Sequence, residues 1–93
     1  MANTFQIYLI SDSTGETLDR IFLALKAQFL NIEYKIHSYS FTRTENQILK
    51  ILEDAEKNNN SIILYTIVDN NLAKYLSNVS GNKKIPCFGV LGN

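Results

Sequence analysis

The sequence predicts an α/β domain: a small parallel sheet of about four strands with three helices in the order βαβαβαβ, which is half of a doubly wound, Rossmann-like fold. Three observations favour it. Short apolar runs alternate along the chain with segments of helical periodicity, and polar turns separate the two. Strands that are joined by single helices must run parallel if they share a sheet. The 93 residues are enough for one small domain.

The first half of the chain predicts two strands and two helices. Residues 5–11 are an apolar run of strand-forming side chains, and residues 32–41 alternate apolar with polar or charged residues, as in a strand. Thr44 and Gln47 predict a capping box at the start of the second helix. Each helix has one apolar stripe, formed by Leu18, Ile21, Phe22, Leu25 and Phe29 in the first and by Ile48, Ile51, Leu52 and Ala55 in the second.

The second half predicts two strands with one helix between them. Residues 61–68 are a continuous apolar run, which is typical of a strand covered on both faces. Asp69 is placed to cap a third helix. Residues 80–84 predict a turn, and residues 85–91 predict the fourth strand. The stripe of the third helix consists of Leu72, Tyr75, Leu76 and Val79.

Composition excludes several classes of partner. Nine basic residues balance nine acidic ones without any basic block, which argues against binding to nucleic acid or to an anionic membrane. No apolar run approaches the roughly 20 residues of a membrane helix. The first six residues lack a secretory signal pattern, so a cytoplasmic protein is expected. A single cysteine, Cys87, forms neither an internal disulfide nor a zinc cluster.

The loop after the first strand is the candidate ligand site. It lies at the carboxyl edge of the predicted sheet, where such folds bind ligands, and the first helix directs free N–H groups towards it. Asp12 and Glu16 would repel a phosphate, but Arg43 emerges at the same edge and offers a compensating charge. The candidate binding residues are Ser11, Asp12, Ser13, Thr14, Gly15, Glu16, Thr17 and Arg43.

A purely structural interpretation of the same loop stays open. Ser13 and Glu16 fit a capping box, which would satisfy the first amides of the helix without any ligand. Arg43 is equally consistent with a solvated loop arginine. The chain contains neither the G-x-x-x-x-G-K-[ST] nor the G-x-G-x-x-G motif of nucleotide-binding loops, so no complete active site is predicted and no metal ligand is assigned.

Three stretches resemble a known family, the regulatory proteins of phosphoenolpyruvate synthase and pyruvate, phosphate dikinase. They are IYLISDSTGETLDRI (7–21), SIILYTIVDNNLAKYL (61–76) and IPCFGVL (85–91), so the resemblance covers essentially the whole chain. The string S-D-S-T-G-E-T with a later Y-T-x-V-D is specific to it. Phe88 and Gly89 depart from the family, which tends to carry valine and aspartate there.

The resemblance implies a bifunctional serine/threonine kinase and phosphorylase. Such proteins use ADP to phosphorylate a threonine of pyruvate, phosphate dikinase or phosphoenolpyruvate synthase, and they remove that phosphate with inorganic phosphate, releasing diphosphate. The family's P-loop, G-V-S-R-T-S-K-T, lies in a later domain and is absent from these residues. Residues 1–93 are therefore expected to be a single N-terminal α/β domain that is inactive alone, with ADP and inorganic phosphate as the implied ligands.

A non-catalytic role is the alternative hypothesis. The domain would then be a docking or dimerisation module that binds the target enzyme or a second copy in a homodimer. Two features motivate it: the last predicted strand has no helix after it, and the second strand carries the aromatic residues Tyr34, Tyr39 and Phe41.

Overall fold

The computed structural model describes residues 4–28 and 33–90 and confirms the predicted order βαβαβαβ. Phe29, Ile32 and Leu91, which the sequence predicts to lie in a helix and two strands, are outside these residues. No helix in the two described ranges is long and apolar enough to cross a membrane. The elements are β1 (Thr4–Ser11), α1 (Glu16–Lys26), β2 (Glu33–Tyr39), α2 (Glu45–Glu56), β3 (Ser61–Thr66), α3 (Asn70–Asn82) and β4 (Cys87–Gly89).

All four strands pair in parallel, in the order β2-β1-β3-β4. From β1 the chain first moves outward to β2 and then returns across β1 to β3, so the direction of winding reverses between β1 and β3. Because crossovers are right-handed, α1 lies on one face of the sheet, and α2 and α3 lie together on the other. In this topology, ligands bind in the crevice at the carboxyl ends of β1 and β3.

The larger core lies between the sheet and the pair α2 and α3. Their predicted stripes are confirmed: all four stripe residues of α2 are buried, and Leu72 and Leu76 of α3 are buried beside half-buried Tyr75 and Val79. From the sheet, this core takes Tyr8, Ile10 and Ile63. Burial of such side chains stabilises the fold by about 1.5–3 kcal/mol each relative to an exposed position.

Tyr8 fixes α2 to the central strand. Its hydroxyl donates to Asp54 Oδ2 at 2.9 Å and accepts from Asn58 Nδ2 at 3.0 Å, so the polar end of a buried ring is satisfied. The ring stacks on His37 of β2, with 4.5 Å between the ring centroids. Burial, helped by the hydrogen bond to Asp54, raises the pKa of Tyr8 to about 12.

The face that carries α1 is less completely covered. Leu18 and Phe22 of α1 are buried against Ile7 and Leu9 of β1. Ile62 and Leu64, the apolar side chains of β3 on this face, are only half-buried, because α1 is the one helix of the described residues that lies here. The prediction that β3 is covered on both faces is therefore confirmed for one face and wrong for the other.

Two of the predicted helix starts are confirmed. Thr44 Oγ1 accepts from the Gln47 N–H at 3.2 Å, and Gln47 Oε1 accepts from the Thr44 N–H at 3.0 Å, which completes the capping box of α2. Asp69 Oδ1 accepts from the N–H groups of Asn71 and Leu72 at the start of α3.

The predicted turn at residues 80–84 is wrong in its position. Helix α3 continues through Gly81 to Asn82, and Lys84, with a φ of 60°, provides the left-handed residue that leads the chain away from the helix. A glycine in the last turn costs the helix little, so Gly81 does not end it. The turn is therefore shorter than the polar sequence suggested.

The aromatic residues of β2 do not form one cluster. Tyr34 packs edge-to-face on Phe22 of α1, whereas Tyr39 stacks parallel to Tyr8 on the opposite face of the sheet. Their positions differ by an odd number of residues, and successive side chains of a strand point to opposite faces. Phe41 lies beyond the end of β2 and is exposed. The hypothesis of a docking or dimerisation module therefore loses the support of a shared aromatic cluster on β2.

Replacing Tyr8 by Phe is expected to lower the free energy of unfolding by about 1 kcal/mol at neutral pH, because the ring remains buried while Asp54 and Asn58 lose their hydrogen bonds to the hydroxyl. The wild-type chain should lose further stability as the pH rises from 10 to 12, since unfolded tyrosine releases its proton before folded Tyr8 does. This component should be missing in Tyr8→Phe. Urea titrations measure both effects, with Tyr75→Phe as the control; an unchanged alkaline dependence in Tyr8→Phe would contradict the assignment.

Candidate functional site

The loop between β1 and α1, residues 12–15, is held in place by the segment that follows β2. The backbone N–H groups of Phe41 and Thr42 donate to the carbonyls of Ser13 and Ser11, at 2.9 and 2.8 Å. Phe41 adopts a φ of 55°, a backbone conformation that is unusual for an aromatic residue and costs on the order of 1–3 kcal/mol. The segment after β2 is thus strained where it contacts the candidate loop.

Side chains extend the same contact. Ser40 Oγ donates to the Thr14 carbonyl at 2.9 Å, and Arg43 Nε donates to the Asp12 carbonyl at 3.0 Å. The Arg43 guanidinium also lies over the Phe41 ring, 5.2 Å from its centroid. Arg43 therefore lies at the edge where the sequence placed it, but the contact it makes is to the backbone of the loop.

Asp12 joins the loop to the other neighbouring strand. Its Oδ2 accepts from the Val68 N–H at 2.9 Å, and its own N–H donates to the Thr66 carbonyl at 3.3 Å. The β1–α1 loop is consequently attached to the chain beyond both β2 and β3. Thr66 and Val68 belong to the Y-T-x-V-D string of the family resemblance, but the sequence did not place them at the site, because only the strand order brings the end of β3 beside the end of β1.

The predicted capping box of Ser13 and Glu16 is wrong. Helix α1 begins after Gly15, whose φ of 86° lies in the left-handed region and which, as the N-cap residue, has no side chain to cap the helix. The Ser13 N–H donates to Ser11 Oγ at 3.1 Å, and the Glu16 N–H approaches Thr14 Oγ1 only at 3.5 Å. The box would require Ser13 as the N-cap, but the glycine turn starts the helix two residues later.

A hollow of about 170 Å³ remains in front of this helix terminus. We call it the carboxyl-edge hollow. It lies at the carboxyl ends of β1 and β3, where the direction of winding reverses. All seven candidate residues from 11 to 17 line it, whereas Arg43 does not. The lining consists of Ser11, Asp12, Ser13, Thr14, Gly15, Glu16, Thr17, Thr66 and Val68.

The chemistry of the carboxyl-edge hollow is mixed. The first N–H groups of α1, the positive end of the helix dipole and the hydroxyls of the loop favour an anion. The carboxylates of Asp12 and Glu16 oppose it, although one oxygen of Asp12 is already bonded to the Val68 N–H. Ligand pockets usually measure about 300–1,000 Å³, so this hollow has room for a phosphate group but not for a whole nucleotide.

Metal binding receives no support from the part of the chain that the structure describes. No group of three or more His, Cys, Asp or Glu side chains within it is arranged to hold a metal ion. His37, which lies on β2, is instead paired with Gln6, its Nε2 lying 2.7 Å from Gln6 Oε1.

Comparison with known families gives a match over most of the chain. The family model described as kinase/pyrophosphorylase matches residues 7–93, which include the whole β1–α1 loop and all four strands except the start of β1. The chain belongs to the kinase/pyrophosphorylase family. The resemblance of the S-D-S-T-G-E-T string to this group of regulatory proteins is thereby confirmed.

Relatives named pyruvate, phosphate dikinase regulatory protein occur in several bacteria. The chain is 71% identical to the protein from Pelagibacter ubique over 93 residues, which is 100% of this chain and 34% of the relative. It is 40% identical to the protein from Geotalea uraniireducens over 92% of this chain and 32% of the relative. The protein from Brucella anthropi is 43% identical over 94% of this chain and 31% of its own length. The chain thus spans about a third of these curated relatives.

Gly15→Ala is expected to destabilise the domain by about 1–2 kcal/mol, because an L side chain at a φ of 86° is strained. The added Cβ itself would lie 3.5 Å from Ser40 Oγ, an ordinary contact, so the cost resides in the backbone. Gly81→Ala is the matched control: it lies in the last turn of α3 with open space around the new Cβ and should leave the stability unchanged or raise it by less than about 0.5 kcal/mol. Urea titrations compare the two; a neutral Gly15→Ala would contradict the observed loop conformation.

Proposed function

We propose that this chain is the N-terminal domain of a regulatory protein that controls pyruvate, phosphate dikinase by reversible phosphorylation. The observation that carries the proposal is its 71% identity, over all 93 residues, to a relative named for that role. Membership in the kinase/pyrophosphorylase family supports the two directions of phosphate transfer. The target enzyme would be the protein partner and ADP and inorganic phosphate the small ligands.

The proposed chemistry consists of two separate transfers. In the kinase direction, the hydroxyl of a target threonine attacks the β-phosphorus of ADP, so that phosphothreonine forms and AMP leaves. In the phosphorylase direction, an oxygen of inorganic phosphate attacks the phosphothreonine phosphorus, so that diphosphate forms and the threonine hydroxyl is restored. Both reactions pass a phosphoryl group between anionic oxygens, and both therefore require sites that hold phosphate.

We assign the carboxyl-edge hollow to one of these phosphate groups. Its size supports a phosphate of the substrate and not the whole of ADP. The uncapped N-terminus of α1 supplies N–H donors, and Thr14 and Thr17 supply hydroxyls beside them. Ser11 and Asp12 act mainly on the loop, through the Ser13 N–H and the Val68 N–H.

The group that transfers the phosphate is assigned to another part of the longer protein. The 93 residues contain no P-loop motif, and the candidate loop residues together do not provide all the donors of a phosphoryl-transfer site. This domain would therefore position a phosphate without catalysing the transfer, and Arg43 would contribute by holding the Asp12 carbonyl.

The proposal is tested by activity in the full-length Pelagibacter relative. Replacing the residue aligned with Thr14 by Val is expected to reduce ADP-dependent phosphorylation of pyruvate, phosphate dikinase about tenfold, because one hydrogen bond to the phosphate, worth about 1.4 kcal/mol, is lost. The control replaces the residue aligned with Thr4, which lies at the opposite end of β1, by Val. Phosphopeptide mass spectrometry measures the phosphorylated target threonine.

Two outcomes would contradict the proposal. An unchanged rate in the Thr14 variant would remove the loop from the phosphate site. Phosphorylation of phosphoenolpyruvate synthase, offered in parallel, with none of pyruvate, phosphate dikinase would replace the proposed target with the other enzyme.

A further inference from the structure

An apolar groove runs along the face of the sheet that carries α1. It encloses about 340 Å³, and we call it the α1-face groove. Every lining side chain is apolar or aromatic except Lys26, whose aliphatic stem belongs to the wall. The lining residues are Phe5, Ile7, Phe22, Leu25, Lys26, Tyr34, Ile62, Leu64 and Phe88.

The width of the sheet limits how many helices can pack on each of its faces. Four strands about 4.8 Å apart place the outer strands roughly 14 Å apart, and neighbouring helices pack about 8–10 Å apart, so each face accommodates two helices. The opposite face carries both α2 and α3. On this face, α1 packs against β1 and β3, and among the described residues no second helix lies beside it. Within residues 4–28 and 33–90, the helix position over β3 and β4 is therefore open.

The side chains at this position have the composition of a covered face. Ile62 and Leu64 of β3 are half-buried, and Phe88 of β4 is 55% exposed. Leu25, which belongs to the apolar stripe of α1, is 39% exposed at the other wall of the groove. Parallel sheets occur almost only with both faces covered, and the uninterrupted apolar sequence of β3 is typical of such a strand. The groove therefore has the composition of a surface that packs against another element.

We propose that the α1-face groove holds one amphipathic helix supplied by the part of the longer family protein that lies outside these residues. All 93 residues of this chain match the Pelagibacter relative, but they cover only 34% of it. Most of that longer polypeptide is therefore available, within the same molecule, to supply the helix. A tethered segment docks at a high effective concentration and without the entropy cost of bringing two molecules together. This inference rests on family membership and is independent of the phosphate site.

The groove also defines the helix that fits it. Helix α1 has 11 residues and is therefore about 16 Å long, so a helix packed beside it needs about three turns. Apolar side chains at i, i+3, i+4 and i+7 would contact Ile62, Leu64 and Phe88. The Lys26 ammonium at the rim favours an acidic residue on the helix near that end.

Photo-crosslinking in the full-length Pelagibacter relative tests the proposal. A benzophenone-bearing phenylalanine analogue replaces the residue aligned with Phe88, and crosslinked peptides are identified by mass spectrometry. The same analogue at the position aligned with Lys74 is the matched control, because Lys74 is exposed on α3, which packs on the opposite face of the sheet. Should the first variant fail to fold by circular dichroism, the position aligned with Leu25 replaces it.

The proposal predicts intramolecular crosslinks from the groove position to one helical peptide outside the region matched by this chain, and none from the control position. Crosslinks to the matched region of a second copy would overturn it in favour of a dimer interface. An equal yield at both positions, or no crosslink at the groove position in a folded protein, would overturn it in favour of a face open to solvent.

Discussion

The hydrogen bond between the Asp12 carboxylate and the Val68 N–H is the contact on which the candidate site depends. Together with the carbonyl contacts to the segment after β2, it fixes the β1–α1 loop between two neighbouring strand ends. The loop carbonyls therefore face those neighbours, and Gly15, the N-cap residue of α1, has no side chain to cap the helix. Within the described residues, the one side-chain acceptor at these N–H groups is Thr14 Oγ1, 3.5 Å from the Glu16 nitrogen. The left-handed conformation of Gly15 completes this arrangement. The start of α1 therefore faces the carboxyl-edge hollow, although the sequence was equally consistent with a capping box of Ser13 and Glu16.

Most of the fold was predictable because the sequence pattern is periodic. The buried stripe of α2, its capping box and the Asp69 cap of α3 depend on residues close together in the sequence, and all are confirmed. The strand order was not predictable, since periodicity gives the number of crossovers but not which strands are neighbours. The half-covered β3 was mispredicted because the apolar sequence of a strand does not show how many of its faces the helices of the described residues cover.

The candidate site was predicted in its location and not in its chemistry. Placing Ser11 to Thr17 at the carboxyl edge needs only the direction of β1, and these residues do line one hollow. The capping box failed because a single φ, at Gly15, decides where the helix starts, and four residues of sequence allow either start. Thr66 and Val68 could not be found without the strand order. Arg43 reached the predicted edge, but its Nε bonds to the Asp12 carbonyl.

The measurement that tests the open helix terminus most directly is an NMR titration of the isotope-labelled chain with phosphate, following the amides of Gly15, Glu16 and Thr17. Saturable shifts confined to the loop are expected, and Glu16→Gln should tighten binding about fivefold, because a carboxylate beside the anion costs about 1 kcal/mol. Glu45→Gln, at the same position of the capped helix α2, should change nothing. Absent shifts at millimolar phosphate, or equal effects of both substitutions, would contradict the account.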